Sequence, residues 1–223
     1  MARRREHDHV EPDQSAPKTG NRRPIAARGN ALVQRFSAWL ARAGVSPNLI
    51  SMVSIAFAAL GAAALLELES PWGPWLCAIA IVLRLLCNLF DGLVAVEHAR
   101  KTPTGVLYNE VPDRLADSLF LVALGYAAGL PWCGWLAALL AALTAYIRTL
   151  GGTVLGSQDF RGPMAKPHRM WLMVAACVLA PLETRFAGTA YTLSTAVIAI
   201  AAGSALTCWT RLRVIARQLR EAA

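Results

Sequence analysis

The sequence predicts an all-α integral membrane protein with six membrane-spanning helices. Of its 223 residues 56% are hydrophobic and only 16% are charged, which is too apolar for an ordinary soluble domain of this length. Apolar stretches of about 20 residues, long enough to cross a hydrocarbon core, recur along the chain. Lys and Arg residues fall on one side of the predicted bundle, as expected of a multi-pass protein.

The predicted spans follow one another with short connections. They are Asn48 to Leu68, Trp72 to Leu93, Val106 to Leu130, Trp132 to Leu155, Met170 to Leu182 and Ala187 to Trp209. The fifth is the shortest, and we expect Pro163 and Pro167 before it and Pro181 after it to frame its helix.

The charge distribution supports an even number of spans with both termini in the cytoplasm. Nine Lys and Arg residues precede Pro47, others lie in alternate loops and after the last span, and the opposite loops hold only Arg185. This pattern indicates a bacterial-type inner (cell) membrane protein. Anionic headgroups explain the net charge of +8, and no motif interleaves base-stacking aromatics with arginines, so we expect no nucleic-acid partner.

Before the first span the sequence predicts two further segments. Residues 1–28 are rich in Arg, Pro, Asp and Gln, which predicts a disordered basic tail. The rest of the chain, residues 29–223, is predicted to form one membrane domain. From Asn30 to Ala43 apolar residues recur at helical spacing. Two interpretations fit this segment equally well: an amphipathic helix in the cytoplasmic interface, or a helix packed against the bundle.

Two polar stripes interrupt the second and third spans near their cytoplasmic ends. Arg84, Asn88 and Asp91 share one helical face, because they are spaced by four and then three residues. Asn109, Asp113 and Asp117 follow at successive steps of four. The connection between the spans is short, so the two stripes lie on antiparallel neighbouring helices.

These polar residues have two interpretations. In a packing network, Arg84 would neutralise Asp91 or Asp113, and Arg114 would pair with Asp117. In a functional site, the three carboxylates and two amides would bind a hard cation such as Mg²⁺ or Mn²⁺. Ionisable groups at membrane depth are costly and mark functional sites by default, which favours the second interpretation.

The same residues resemble a known signature. The stretch NLFDGLVAV begins at Asn88 and is followed, after eight residues, by GVLYNEVPD from Gly105. This pattern is similar to DxxDGxxAR, eight residues, then GxxxDxxxD, the signature of the CDP-alcohol phosphotransferases. The resemblance implies six spanning helices and a divalent-metal site facing the cytoplasm. It also implies transfer of a phosphatidyl or similar phosphoryl group from a CDP-linked donor to an alcohol, with release of CMP.

The resemblance assigns roles residue by residue. It implies metal ligands at Asn88, Asp91, Asn109 and Asp113, with Asp113 also the base that deprotonates the acceptor hydroxyl. It implies that Gly92, Ala95 and Gly105 admit the CDP group. The cofactor would be Mg²⁺ or Mn²⁺. Asp117, one turn beyond Asp113, adds a carboxylate that can serve as a further metal ligand.

Three positions depart from the family pattern. Asn88 and Asn109 stand where it has Asp, and Val96 stands where it has Arg. The amides keep oxygen ligands but remove two negative charges, which leads to the hypothesis of one metal ion instead of two. Arg84, which the signature does not require, would then bind a phosphate where a second cation would otherwise sit.

A second basic region lies between the fourth and fifth spans. Arg148, Lys166 and Arg169 are predicted to bind a phosphate of the acceptor or of the lipid. Ordinary positive-inside charge explains part of this pattern equally well.

The predicted function is that of a metal-dependent CDP-alcohol phosphotransferase in phospholipid biosynthesis, acting on a CDP-linked lipid donor and an alcohol acceptor among membrane lipids. One alternative is a catalytically weakened relative that binds lipids or a protein partner. Another is a transporter whose polar stripes line an ion path. Small residues in the last span, such as Ala199, Ala202 and Gly203, permit a homodimer.

Overall fold

A computed structural model describes residues 30–67, 71–97, 103–156 and 158–222, and within these ranges the chain forms helices and short connections without strands. In order the helices are α1 (Ala31–Arg42), α2 (Pro47–Leu66), α3 (Gly73–Glu97), α4 (Gly105–Ala127), α5 (Pro131–Leu155), α6 (Lys166–Ala187) and α7 (Thr192–Glu221). The predicted tail, residues 1–28, lies outside the described residues.

Helix α1 is the predicted amphipathic helix. The Asn30 side chain caps its N-terminus by accepting a hydrogen bond from the Leu32 amide at 2.9 Å. Phe36 packs against Phe90 of α3, with ring centroids 4.8 Å apart. Leu32 and Trp39 stay exposed. The helix therefore packs on the bundle through one face while another presents apolar side chains, as an interfacial helix does.

The all-α membrane fold is confirmed, whereas the count of six spans is not. Among the described residues, α2, α3, α5, α6 and α7 are long and apolar enough to cross a membrane. Helix α4 falls short because it carries four ionisable residues, which are Glu110, Asp113, Arg114 and Asp117.

One face of helix α4 packs inside the bundle, and Asp113 and Asp117 lie buried on that face. It packs against α2, α5 and α7, and its Phe120, Leu121 and Leu124 side chains are completely buried. It approaches α5 closely where two glycines meet, since a Cβ built on Gly125 would lie 2.5 Å from the Cα of Gly134. Burial within protein suits a polar helix at membrane depth, because its charges then face neighbouring side chains instead of lipid.

Helix α6 differs from the predicted fifth span at both ends. It begins at Lys166 instead of Met170, with Pro167 in its first turn, where the missing N–H of proline costs no helical hydrogen bond. It continues through Pro181 to Ala187, so Pro181 lies inside the helix and does not end it. The earlier start brings Lys166 and Arg169 into the first turn, from where both reach α4.

Candidate active site

The polar residues of the two stripes separate into two neighbouring regions. The first, which we call the Asp91 cleft, is a cavity of about 400 Å³ at one end of α2, α3 and α4. Its lining comprises Pro47, Asn48, Ser51, Asp91, Gly92, Ala95, Val96, Gly105, Val106, Asn109, Glu110 and Gln158. The second, the ion-pair cluster, joins Arg84, Asn88, Asp113, Asp117, Lys166 and Arg169.

The structure brings the three predicted CDP-binding residues together in the Asp91 cleft. Gly92 and Ala95 come from α3 and Gly105 begins α4, and all three line the same cavity as Asp91 and Asn109. A Cβ added at Gly92 would meet no atom within 4 Å. Glycine at this position therefore leaves space in the cavity and is not required for helix packing.

Asp91 is buried, yet only one of its carboxylate oxygens is satisfied. The residue is 4% exposed, and its Oδ2 accepts a hydrogen bond of 2.7 Å from the Ser51 hydroxyl on α2. Its Oδ1 finds no hydrogen-bond donor of acceptable geometry in the part of the chain that the structure describes. A buried carboxylate oxygen without a partner is costly, so this atom is a candidate ligand for a cation.

In the ion-pair cluster every carboxylate oxygen has a donor. The Nη2 atom of Arg84 donates to Asp113 Oδ1 at 3.0 Å and to Asp117 Oδ1 at 2.9 Å. Asn88 also donates to Asp113 Oδ1, and Lys166 donates to Asp113 Oδ2.

The last oxygen, Asp117 Oδ2, accepts from Arg169 at 3.1 Å. Arg84 and Arg169 are almost completely buried. The cluster is therefore a buried salt-bridge network between α3, α4 and α6.

Part of the packing-network interpretation agrees with these contacts. Arg84 does pair with Asp113, but its other partner is Asp117 and not Asp91. Arg114 lies 3.4 Å from Glu110 and 3.6 Å from Asp113, so among the described residues it pairs with these two carboxylates and not with Asp117.

Arg148 lies between the Asp91 cleft and a second cavity of about 190 Å³, which we call the basic pocket. Its Nη2 donates to both oxygens of Glu110 at 2.7 and 2.8 Å, and its Nη1 donates to Gln158 at 2.8 Å. Gln158 lines both cavities, so the two adjoin at this contact.

Two further arginines, Arg161 and Arg211, also line the basic pocket. Burial of Asp159 there favours its neutral form, but the hydrogen bonds from Arg161 prevail and hold the pKa of Asp159 below its usual range. The pocket therefore keeps both signs of charge at neutral pH.

Sequence reasoning missed four residues of these cavities. Ser51 orients Asp91, Glu110 and Gln158 hold Arg148, and Arg211 lines the basic pocket while donating to the Thr144 carbonyl at 2.6 Å. A signal exists for Ser51, a polar residue within an apolar helix, four positions after Pro47. Arg211 was indistinguishable from ordinary positive-inside charge.

The chain belongs to the CDP-alcohol phosphatidyltransferase family, whose model matches residues 44–218. The chain is accordingly a transferase of phospholipid synthesis, of a class that moves a phosphatidyl group from a CDP-linked lipid and depends on a divalent metal. The matched range includes both the Asp91 cleft and the ion-pair cluster.

Two curated relatives are similar to most of this region. The inner membrane protein YnbA of Escherichia coli is 27% identical over 132 residues, which are 59% of this chain and 66% of the relative. Phosphatidylinositol phosphate synthase of Mycolicibacterium smegmatis is 25% identical over 181 residues, which are 78% of this chain and 79% of the relative.

Solved structures show the same fold. The phosphatidylinositol phosphate synthase of Mycobacterium tuberculosis with CDP-DAG bound superposes with a TM-score of 0.68 at 19% identity, covering 83% of this chain and 94% of that one. The same synthase in complex with manganese and citrate also gives 0.68 at 19% identity, covering 82% and 88%. Together these comparisons confirm a multi-pass membrane protein with the architecture of this family.

Proposed function

We propose that the chain transfers a phosphatidyl group from a CDP-linked lipid donor, such as CDP-diacylglycerol, to an alcohol acceptor, with release of CMP. The observation that carries the proposal is the Asp91 cleft. It gathers Gly92, Ala95 and Gly105 around one buried carboxylate, with open space at Gly92. The bound CDP-DAG of the solved synthase supports the choice of donor.

The chain's own residues position the donor. The absent side chains at Gly92 and Gly105 and the small one of Ala95 leave room for the cytidine and its phosphates. Asp91 offers its unpartnered Oδ1 to a divalent cation, Mg²⁺ or Mn²⁺, and Asn109 brings an amide to the same cavity. Such a cation, when bound, neutralises negative charge that develops on the leaving phosphate.

The reaction is a displacement at phosphorus. The acceptor oxygen forms a bond to the phosphorus that carries the diacylglycerol, and the bond from that phosphorus to the bridging oxygen breaks, so that oxygen and its electron pair leave with CMP. We assign the acceptor's proton to Asp113. Of the two carboxylates in the ion-pair cluster, Asp113 is the more accessible, with its side chain 11% exposed against 3% for Asp117.

Four basic residues are assigned to phosphates of the acceptor or the lipid. Arg148 adjoins the basic pocket and the Asp91 cleft, so an anionic acceptor there would lie beside the donor. Lys166 is partly exposed, at 19% of its side chain, whereas Arg84 and Arg169 are buried among carboxylates. A phosphate role for Arg84 and Arg169 remains a prediction.

Orientation and assembly extend this proposal. The one-sided Lys and Arg distribution supports an inner-membrane location with both termini and the Asp91 cleft at the cytoplasmic side. For a homodimer, Ala199 and Ala202 of α7 are exposed, while Ala201 and Ser204 already pack inside the chain.

A direct assay tests the function. Purified protein is incubated with CDP-diacylglycerol, Mn²⁺ and a panel of alcohols, and CMP release is followed. We expect release with at least one alcohol and its loss in Asp113→Asn. Glu221→Gln, which changes an exposed carboxylate that lines neither cavity, is the matched control and should leave the rate unchanged. CMP release that is insensitive to Asp113→Asn would refute the base assignment.

One observation favours a second function. All four oxygens of Asp113 and Asp117 are occupied by side-chain donors, as expected if catalysis has weakened and the chain acts by binding lipids or a partner. Absence of CMP with every alcohol tested would favour this alternative.

A further inference from the structure

The two regions of the site differ in what they offer a metal ion. The family's four ligand positions correspond to Asn88, Asp91, Asn109 and Asp113, and Asp117 lies one turn further along α4. Across the described residues, no three His, Cys, Asp or Glu side chains converge on a point where they could hold a metal. The arrangement therefore does not fit a pair of cations shared among several carboxylates.

The ion-pair cluster already contains its positive charge. Arg84, Lys166 and Arg169 bring three cationic groups to the two carboxylates of Asp113 and Asp117. Every oxygen of these carboxylates accepts at least one hydrogen bond. A divalent ion placed there would lack a free carboxylate oxygen and would be repelled by two buried arginines and by the partly exposed Lys166.

Asn88 fits this network better than the aspartate it replaces. Its amide nitrogen donates to Asp113 Oδ1, the oxygen that also accepts from Arg84. An aspartate has no such donor and would place a second negative charge against Asp113 unless a cation lay between them.

The position of the cations on α6 supports a role at the site. Lys166 is the first residue of α6, and Arg169 lies in its first turn. The N-terminal end of a helix carries partial positive charge, so cations in the first turn are unfavourable for the helix itself. Their contacts with Asp113 and Asp117 of α4 compensate for this. The stability of α6 alone does not explain why both residues are basic.

Asp91 differs from Asp113 and Asp117 because one of its carboxylate oxygens is open to a cation. It is buried at 4% exposure, it lines the cleft, and its Oδ1 has no hydrogen-bond donor among the described residues. The donors near its carboxylate are neutral: the Ser51 hydroxyl on Oδ2, and the backbone amide of Gly92 in a looser contact. Asn48 and Asn109 line the same cavity, and amide and carboxylate oxygens are the ligands that hard divalent cations prefer.

We infer that this chain binds a single divalent cation, at Asp91, and that the side chains of Arg84 and Lys166 replace a second cation beside Asp113. The fixed cations offset the negative charge of Asp113 without an exchangeable metal. This inference deepens the proposed function by defining the metal content of the same site, and it rests on that function only where it treats the cleft as the donor site.

Calorimetric titration of Mn²⁺ alone into the purified full chain in detergent tests the inference. We expect one ion bound per chain. Asp91→Asn should weaken binding at least about tenfold, since even the loss of an outer-shell partner has an effect of that size. Glu221→Gln, the control carboxylate, should bind Mn²⁺ like the wild type. Two ions per wild-type chain, no binding, or binding that Asp91→Asn leaves unchanged would each overturn the inference.

A gain of binding tests the role of the resident cations. Combining Asn88→Asp with Lys166→Met restores one carboxylate and removes one cation, so the number of Mn²⁺ ions per chain should rise from one to two. A folded double variant, eluting as the wild type in size-exclusion chromatography, that still binds one ion would refute the replacement by Arg84 and Lys166.

The outcomes separate this inference from the proposed function. CMP release by a chain that binds two ions leaves the transferase proposal intact and overturns the single-cation inference. One ion bound at Asp91, with no CMP released from any alcohol, supports the inference and overturns the transferase proposal.

Discussion

The Asp91 cleft and the ion-pair cluster adjoin in the same bundle, yet they treat buried carboxylates in opposite ways. In the cluster, each oxygen of Asp113 and Asp117 has a donor, although Arg84 and Arg169 keep buried nitrogens without an acceptor among the described residues. In the cleft, Asp91 keeps one oxygen without a donor beside an open cavity. The comparison indicates that ion pairs fix the position of Asp113 in the cluster, whereas the cleft leaves a buried carboxylate oxygen open to a ligand.

The largest effect expected is on the stability of the cluster. Arg84→Met removes the donor that Asp113 and Asp117 share and leaves two buried carboxylates with less compensation. Loss of one partner from a buried ion pair costs about 3 to 5 kcal/mol, so the thermal unfolding midpoint in detergent should fall markedly. Arg217→Met, which removes an exposed ion pair with Glu221, should leave the midpoint nearly unchanged.

A double variant shows whether the loss comes from the orphaned charges. Adding Asp117→Asn to Arg84→Met neutralises one of the two carboxylates and should recover part of the lost stability. If the double variant is no more stable than Arg84→Met alone, the loss of stability does not come from carboxylates left without their cation.

Enzyme activity should depend on the free volume of the Asp91 cleft, whereas stability should depend on the charges of the ion-pair cluster. Gly92→Leu places a side chain where a Cβ meets no atom within 4 Å, so it should fill the cavity while the fold is kept. We expect CMP release to fall about a hundredfold, equivalent to about 2.7 kcal/mol in the barrier, with an unchanged unfolding midpoint.

Ala59→Leu is the matched control for Gly92→Leu, since it adds a comparable side chain on the exposed face of α2. Its rate should equal that of the wild type. Full activity of Gly92→Leu would show that the donor does not occupy the Asp91 cleft.

Neutralising one carboxylate in each region gives opposite effects on stability. With a chelator present, Asp113→Asn leaves Lys166 without its anionic partner and should destabilise the chain by about 1 to 3 kcal/mol. Asp91→Asn removes a charge that lacks a full set of partners, so the unfolding midpoint should stay constant or rise.

Manganese should then stabilise only chains that retain Asp91. At a concentration about a hundred times the dissociation constant, a ligand bound to the native state alone adds about 2.7 kcal/mol. The unfolding midpoint of the wild type should therefore rise with Mn²⁺ and that of Asp91→Asn should not. Equal responses of the two chains would place the cation elsewhere.

The sequence predicted the location of both regions but not their separation. Spacing along α3 and α4 is a local property of helices, so the approach of the two stripes followed from periodicity and a short connection, whereas the choice of Gly92, Ala95 and Gly105 came from the family resemblance. The predicted all-α membrane fold is confirmed for the same reason. The count of six spans is not confirmed, because α4, with four ionisable residues, is not among the five described helices that are long and apolar enough to cross a membrane.

Side-chain pairing was beyond the sequence. Asp117 appeared to be a spare metal ligand, whereas its oxygens accept from Arg84 and Arg169, the second of which lies 52 positions away on another helix. The start of α6 was set four residues late, since Pro167 was treated as a residue before the helix instead of part of its first turn. Partner choice across helices depends on packing, which a residue pattern does not specify.

The smallest effect concerns Val96, which lines the cleft where the family pattern has arginine. Val96→Arg restores a cation beside the proposed donor phosphates. An exposed charged hydrogen bond contributes about 1 kcal/mol, so the KM for the CDP-linked donor should fall several-fold while kcat changes little. Leu107→Arg adds the same charge at an exposed position of α4 outside the cleft lining and should leave the KM unchanged. An equal fall in both variants would mean that the added charge attracts the donor to the membrane surface in general, and that position 96 does not contact its phosphates.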